Sequence, residues 1–189
     1  MERTRHLRLE LPATSAARAR GLHDEPPRVD IRRAGESDLD AIVAIFNEAI
    51  LERHAVAFLE PLRAEDRLAW FREHDEGHPI WIAHHEGEPL GWLSLSRWSE
   101  RAAYDVTAEV SVYIAARARR RGIGKALVYH AMESAPALGI DTLLAGAFAH
   151  NVESIRLFEH LGFEHWAVLR GVAILDGIRR DVTYLGRRI

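Results

Sequence analysis

From Val29 onward the chain switches between stretches in which apolar residues recur at every second position and stretches in which they recur at three-and-four spacing. Val29-Asp30-Ile31-Arg32 predicts a short strand closed by the Gly35-Glu36-Ser37 turn. Ser37 and Asp40 make a capping-box pattern, and Leu39, Ile42, Val43, Phe46, Ala49 and Ile50 follow with helical spacing. A second helix is expected from Ala64 to His74, with Leu68 and Phe71 inward. Pro79 to His85 and Leu90 to Leu95 are β-prone runs joined by the turn sequence Glu86-Gly87-Glu88-Pro89, which predicts a hairpin with His84 and His85 on an edge strand. In the next strand, Val106 to Ile114, the residues Val106, Ala108, Val110, Val112 and Ile114 share one face, and Thr107, Glu109, Ser111 and Tyr113 share the other.

Gly122 opens a long helix that Pro136 and Gly139 close. Asp141 to Ala147 reads as a buried strand, Asn151 as the cap of a further helix, and Gly162 as that helix's C-terminal stop. Phe163 to Arg170 and Val172 to Leu185 are expected as two closing strands, the second interrupted at Asp176-Gly177. The order is β α α β β β α β α β β. A helix crossing between neighbouring strands implies a parallel pair, and the hairpins imply antiparallel partners. The expected fold is therefore α/β: a mixed, mostly antiparallel sheet with a parallel pair at its middle and helices on both faces. Trp70, Trp81, Trp92 and Trp166 are expected in its core.

Residues 1–28 show neither period and are arginine-rich, so they are expected to be a disordered extension, with residues 29–189 as one domain. They lack the continuous apolar stretch of a secretory signal, and no run of 18 apolar residues exists elsewhere to span a membrane. With no cysteine among the 189 residues, thiolate metal sites, disulfides and thiol nucleophiles are excluded. That composition is commonest in a reducing cytoplasm. The 11 histidines are scattered without ligand spacing, so no metal is expected. A net charge of −3 argues against bulk nucleic-acid binding.

The charge is unevenly placed. Arg117, Arg119, Arg120, Arg121 and Lys125, the only lysine, crowd the loop between the Val106 strand and the helix opened by Gly122. Glycine permits close backbone approach, and the first amides of a helix lack internal acceptors, so Gly122, Ile123, Gly124 and Lys125 offer donors and a positive dipole end to an anion. A solvated basic turn is the plainer reading of the same residues. A P-loop is excluded, because Gly122, Gly124 and Lys125 stand too close together. A dinucleotide fingerprint fails at Leu127, where a third glycine is required.

Arg119-x-x-Gly122-x-Gly124 after a strand resembles the acyl-CoA pyrophosphate loop of the GNAT N-acetyltransferases, and the strand order is similar to theirs. Arg101-Ala102-Ala103-Tyr104-Asp105-x-Thr107-x-Glu109-x-Ser111-Val112-Tyr113 is similar to the phosphinothricin and methionine sulfoximine N-acetyltransferase branch. So are Asn151-x-x-Ser154-Ile155-Arg156-Leu157 with Leu161-Gly162-Phe163, and Phe58-x-Glu60-Pro61. The resemblance implies transfer of acetyl from acetyl-CoA to the α-amine of a small amino acid or analogue, in a homodimer. It implies that Val112, Tyr113 and Ile114 lend backbone groups to the pantetheine and thioester. Arg119, Arg120, Arg121, Gly122, Ile123, Gly124 and Lys125 would hold the pyrophosphate, and Asn151 and Ser154 would meet the pantetheine arm. Glu109 would be the general base, and Trp98, Arg101, Tyr104, Glu109 and Ser111 would surround the acceptor.

A carboxylate suits that role. Only a neutral amine attacks a thioester, and an α-amine with a reference pKa near 8 is mostly protonated at pH 7. Without cysteine no acyl-cysteine enzyme can form, which favours direct attack of the amine on acetyl-CoA. Three positions depart from the branch: Phe158 replaces a histidine, and Leu175 and Arg179 replace a lysine and a tryptophan near the acceptor. Two other readings stay open, namely acetylation of a polyamine, aminoglycoside or protein N-terminus, and an acyl-CoA-binding sensor without turnover.

Overall fold

The computed structural model describes residues 29–189. The expectations for residues 1–28 lie outside the described residues. The strands are β1 (Asp30–Arg33), β2 (Ile80–His85), β3 (Glu88–Arg97), β4 (Thr107–Ile114), β5 (Thr142–Phe148), β6 (Glu164–Leu175) and β7 (Ile178–Arg188). The helices are α1 (Leu39–Leu51), α2 (Ala64–Arg72), α3 (Ile123–Ser134) and α4 (Val152–His160). The strands form one sheet in the order β1-β2-β3-β4-β5-β7-β6. Every neighbouring pair is antiparallel except β4 and β5, so the parallel pair sits at the middle.

Alternation along the strands decides what each face meets. Trp92 and Tyr113 are register partners and share a face, and the Phe46 ring of α1 packs on both at 6.1 and 4.9 Å between centroids. Trp70 of α2 meets the same Trp92 at 5.7 Å. On the opposite face Trp81 packs against His130 of α3, and Gly124 brings α3 against Leu157 of α4. The helices therefore cover both faces. Trp92 is fully buried and its indole N–H donates to the Ile42 carbonyl at 3.0 Å, which satisfies its one polar group. Burial of such side chains stabilises the fold by about 1.5 to 3 kcal/mol each.

Local details differ from the sequence reading. The entry to α1 is held by Asp38 and not by a Ser37–Asp40 box. The Asp38 carboxylate accepts the Gly35 N–H at 2.8 Å and both Arg32 guanidinium nitrogens at 2.7 and 2.8 Å. Arg32 is the principal cause that holds the Asp38 carboxyl below its ordinary pKa. Helix α2 ends at Arg72, short of His74. Val106 precedes β4 and is exposed, its carbonyl accepting the N–H groups of Asp141 and Thr142.

The closing hairpin is divided elsewhere than expected. Asp176 and Gly177 both have positive φ, 51° and 75°, and form the turn between β6 and β7. Gly171, at φ 60°, sits inside β6 where the register against β7 shifts, so the break expected there is a bulge. His84 and His85 lie on β2, which β1 and β3 flank; β1 is the edge. Trp166 is 44% exposed instead of core, because β6 is the other edge and the indole lies flat over Gly186 of β7. No helix among the described residues is long and apolar enough to cross a membrane.

Candidate active site

The parallel pairing of β4 and β5 covers Thr107, Ala108 and Glu109 against Thr142, Leu143 and Leu144 and stops there. Both strands continue, so beyond Glu109 they part, and the edge of β4 from Val110 to Ile114 that faces β5 has no strand partner among the described residues. A cavity of about 250 Å³ opens at this point. Glu109, Ser111 and Tyr113 of β4, Gly146 and Phe148 of β5, and Val182 and Tyr184 of β7 give it a floor. Its apolar walls include Phe46 of α1 and Val56 and Phe58 of the segment joining α1 to α2.

That segment is tied down at several points. Asn47 exchanges hydrogen bonds with the backbone of Leu62 at 2.8 and 2.9 Å. Arg53 donates to the Leu59 carbonyl and pairs with Asp176 of the β6–β7 turn at 2.7 Å. Arg67 lies over Trp70 at 3.8 Å and over Phe46 and Phe58 at 5.5 and 5.8 Å, and burial lowers its pKa from the ordinary value.

Glu109 is partly buried on the cavity floor. Among the described residues it has no hydrogen-bond partner and no ion pair, and burial raises its carboxyl above the ordinary carboxylate pKa. Tyr113 is pushed up to about 12 by burial and then by the Glu109 charge, and Tyr184 is raised by the same two causes. A proton-accepting group without a protein donor, in a low-dielectric pocket, is poised to take a proton from something that enters. Gly146 makes the room: a Cβ there would stand 3.2 Å from Glu109 Oε1 and 3.1 Å from the Tyr184 ring.

The basic loop stands at the far end of β4. Gly122 has φ 81° at the N-cap of α3, and the first helical bond runs from the Ala126 N–H to the Gly122 carbonyl. The N–H groups of Ile123, Gly124 and Lys125 thus have no acceptor within the helix. Arg120, Arg121 and Lys125 are exposed and make no ion pair among the described residues. Arg119 is committed elsewhere, to Glu52 of the α1 end at 2.7 Å and to the Ile114 carbonyl at 3.2 Å. Asn151 is buried at the N-cap of α4, its Oδ1 accepting the Ser154 N–H at 3.1 Å while Nδ2 keeps no protein acceptor among the described residues. An unpaired strand edge leading to free helix amides and unpaired cations fits an elongated ligand with an anionic end.

The structure brings Glu109, Ser111 and Tyr113 together in the cavity. Trp98 is adjacent, its ring 5.3 Å from that of Tyr184. Arg101 and Tyr104 are exposed on a short 3-10 segment before β4 and do not line the cavity. Val112 and Ile114 turn their side chains to the α3 face, so only their backbone reaches the opening edge. Phe158 is buried against Phe163 at 5.0 Å and supplies no proton donor. The sequence reading missed Gly146 and Tyr184. Tyr184 alternates with Val182 toward the same face, a signal that could have found it. No group of three or more metal-ligating side chains occurs among the described residues.

Comparison with known proteins gives consistent matches. The family described as "Acetyltransferase (GNAT) family" matches residues 41–163. YwnH of Bacillus subtilis, provisionally named a phosphinothricin acetyltransferase, is 42% identical over 160 residues, 84% of this chain and 98% of its own. The L-methionine sulfoximine/L-methionine sulfone acetyltransferase of Pseudomonas aeruginosa is 34% identical over 82% of this chain and 91% of its own. The solved structure of a GNAT superfamily phosphinothricin acetyltransferase from Sinorhizobium meliloti in complex with acetyl-CoA superposes with a TM-score of 0.79 at 29% identity. That match covers 85% of this chain and 88% of that one.

Proposed function

This chain belongs to the GNAT acetyltransferase family and is an N-acetyltransferase, and from its site we propose that it acetylates the α-amine of a small amino acid or analogue with Glu109 as general base. The observation that carries the proposal is the partly buried Glu109 carboxylate, without a partner among the described residues, on the floor of a cavity that opens where β4 and β5 part. The walls admit a small, partly apolar acceptor, which favours the phosphinothricin and methionine sulfoximine class named for the relatives over a polyamine or aminoglycoside.

Acetyl-CoA is the expected donor, and its thioester supplies the activated acyl group. The free amides of Ile123, Gly124 and Lys125, with Arg120 and Arg121, would neutralise its pyrophosphate. The unpaired edge of β4 from Val112 to Ile114 and the Asn151 side chain would align its pantetheine arm. Glu109 then takes a proton from the acceptor ammonium, directly or through one water, leaving a neutral nitrogen to attack. Its raised pKa brings it closer to that of the amine and makes it a stronger base than an ordinary carboxylate. With Phe158 apolar, the leaving thiolate takes its proton from solvent. Arg119, bound to Glu52 and Ile114, holds the loop in shape. Thiol release from acetyl-CoA with such acceptors, and its loss in Glu109→Gln, tests the reading.

The homodimer expected from the resemblance is also proposed. Among the described residues strand β6 pairs with β7 alone and exposes Trp166, Val168, Leu169, Val172, Ile174 and, across the turn, Ile178. A long apolar edge strand is an association liability unless covered. A second copy covers it with the same residues in an isologous contact.

A further inference from the structure

Next to the cavity lining, on the same face of the sheet, stands a basic side chain that the amine chemistry leaves unused. On β7, Arg180 alternates with Val182 and Tyr184, both of which line the cavity, and its register partner on β6, Ala173, lines it too. Directly paired residues share a face of a sheet, so Arg180 belongs to the cavity face.

Its neighbours are basic or apolar. His150 stacks on the cavity residue Phe148 at 5.3 Å with the rings 20° apart, and the His54 ring meets His150 edge-on at 5.0 Å. Burial, then the nearby Arg180 charge and His54, hold the His150 imidazole below its ordinary pKa. Arg180 has no carboxylate partner among the described residues, and its Nε is buried without a hydrogen-bond acceptor. The acids that stand near are spoken for: Asp176 pairs with Arg53 at 2.7 Å, and Asp181 accepts the Gly171 N–H at 2.8 Å. A buried donor left unpaired is costly, which marks a place where an acceptor is missing.

We propose that Arg180, with His150 and His54 beside it, forms an oxyanion subsite that binds a second acidic group, a phosphinate, phosphonate or carboxylate, at the far end of the acceptor amino acid. This rests on the acceptor reading above. Along β7 Arg180 stands beyond Val182 on the side away from Tyr184, which lies beside Gly146 and Glu109. The α-carboxylate shares a carbon with the amine and stays near Glu109, so the group at Arg180 is the distal one. A guanidinium is suited to it by its planar fork and permanent charge.

The test compares phosphinothricin, with an anionic tail, and methionine sulfone, with a neutral tail of similar length. Calorimetric binding is measured on the unchanged protein, Arg180→Gln and Arg180→Lys, alongside thiol release from acetyl-CoA. Arg180→Gln should weaken phosphinothricin binding tenfold or more and methionine sulfone binding less than twofold, with Arg180→Lys in between and the KM for acetyl-CoA unchanged. Equal loss for both acceptors, no loss for either, or no binding of phosphinothricin to the unchanged protein would overturn the subsite. If the binding pattern holds but no amine supports thiol release, the acetylation reading falls and the subsite stands.

Discussion

Glu109 Oε1 stands 3.2 Å from the point that a Cβ on residue 146 would occupy, so the position of the carboxylate depends on Gly146 having no side chain. A methyl group there must displace either Glu109 or the Tyr184 ring. A misplacement of about 1 Å at a reacting group can cost about 10²-fold in rate, and a shift of a few tenths of an ångström a part of that. Gly146→Ala is therefore expected to lower kcat/KM for the acceptor on the order of tenfold or more, measured by thiol release. Its melting temperature should fall by no more than roughly 4 °C, about 1 kcal/mol for a chain of this size.

Replacing Glu109 by glutamine separates catalysis from stability. Loss of a general base is expected to cost about 10² to 10⁴ in rate. The carboxyl is raised in the folded protein by burial, so this group favours folding below its unfolded pKa and the benefit is lost as pH rises through the folded value. At neutral pH the charged form is the disfavoured one, and Glu109→Gln should melt no lower than the unchanged protein. A substantially lower melting temperature would show that the carboxylate is structural.

The same shift sets the acid limb of the pH profile. Activity needs the ionised carboxylate, so kcat/KM should fall as pH drops through a value above that of an ordinary glutamate. The limb should be absent from the residual activity of Glu109→Gln. Steady-state rates between about pH 4 and 9, corrected for the acceptor's own ionisation, read it.

Asn151 has two functions that two variants can divide. Asn151→Ala removes the cap of α4 and should cost about 0.5 to 2 kcal/mol. Asn151→Asp keeps an accepting oxygen for the Ser154 N–H but loses the Nδ2 donor and brings a negative charge toward the proposed donor path. It should melt near the unchanged protein while the KM for acetyl-CoA rises several-fold.

The apolar edge of β6 predicts its own assay. Sedimentation should show a dimer, and Ile174→Glu, which places a charge on an exposed position of that strand, should shift it to monomer without lowering secondary-structure content. A monomer for the unchanged protein would contradict the edge pairing.

Element order and the parallel pair were legible because period-two and three-and-four spacing report which face each residue buries, and Asn151, Gly162 and the Gly122 start announce themselves locally. The division of the last strands was not. Gly171 and Gly177 both carry positive φ, and local sequence does not tell a bulge from a turn. Trp166 looked like core because sequence hides that β6 is an edge. For the site, strand alternation put Glu109 and Ser111 on one face, and their expected roles came from the resemblance to the acetyltransferase branch. Gly146 comes to Glu109 through the pairing of β4 with β5 and Tyr184 through that of β5 with β7, long-range contacts that no short motif encodes.

The most direct test of the central claim is a single reaction: the unchanged protein with acetyl-CoA and either methionine sulfone or phosphinothricin, read by free thiol and by mass spectrometry of the amino acid. Acceptor-dependent thiol release matched by α-N-acetylated product, and lost in Glu109→Gln, is the expected result. Acetyl-CoA binding with no acetylated amino acid from either acceptor, or an undiminished rate in Glu109→Gln, would contradict it.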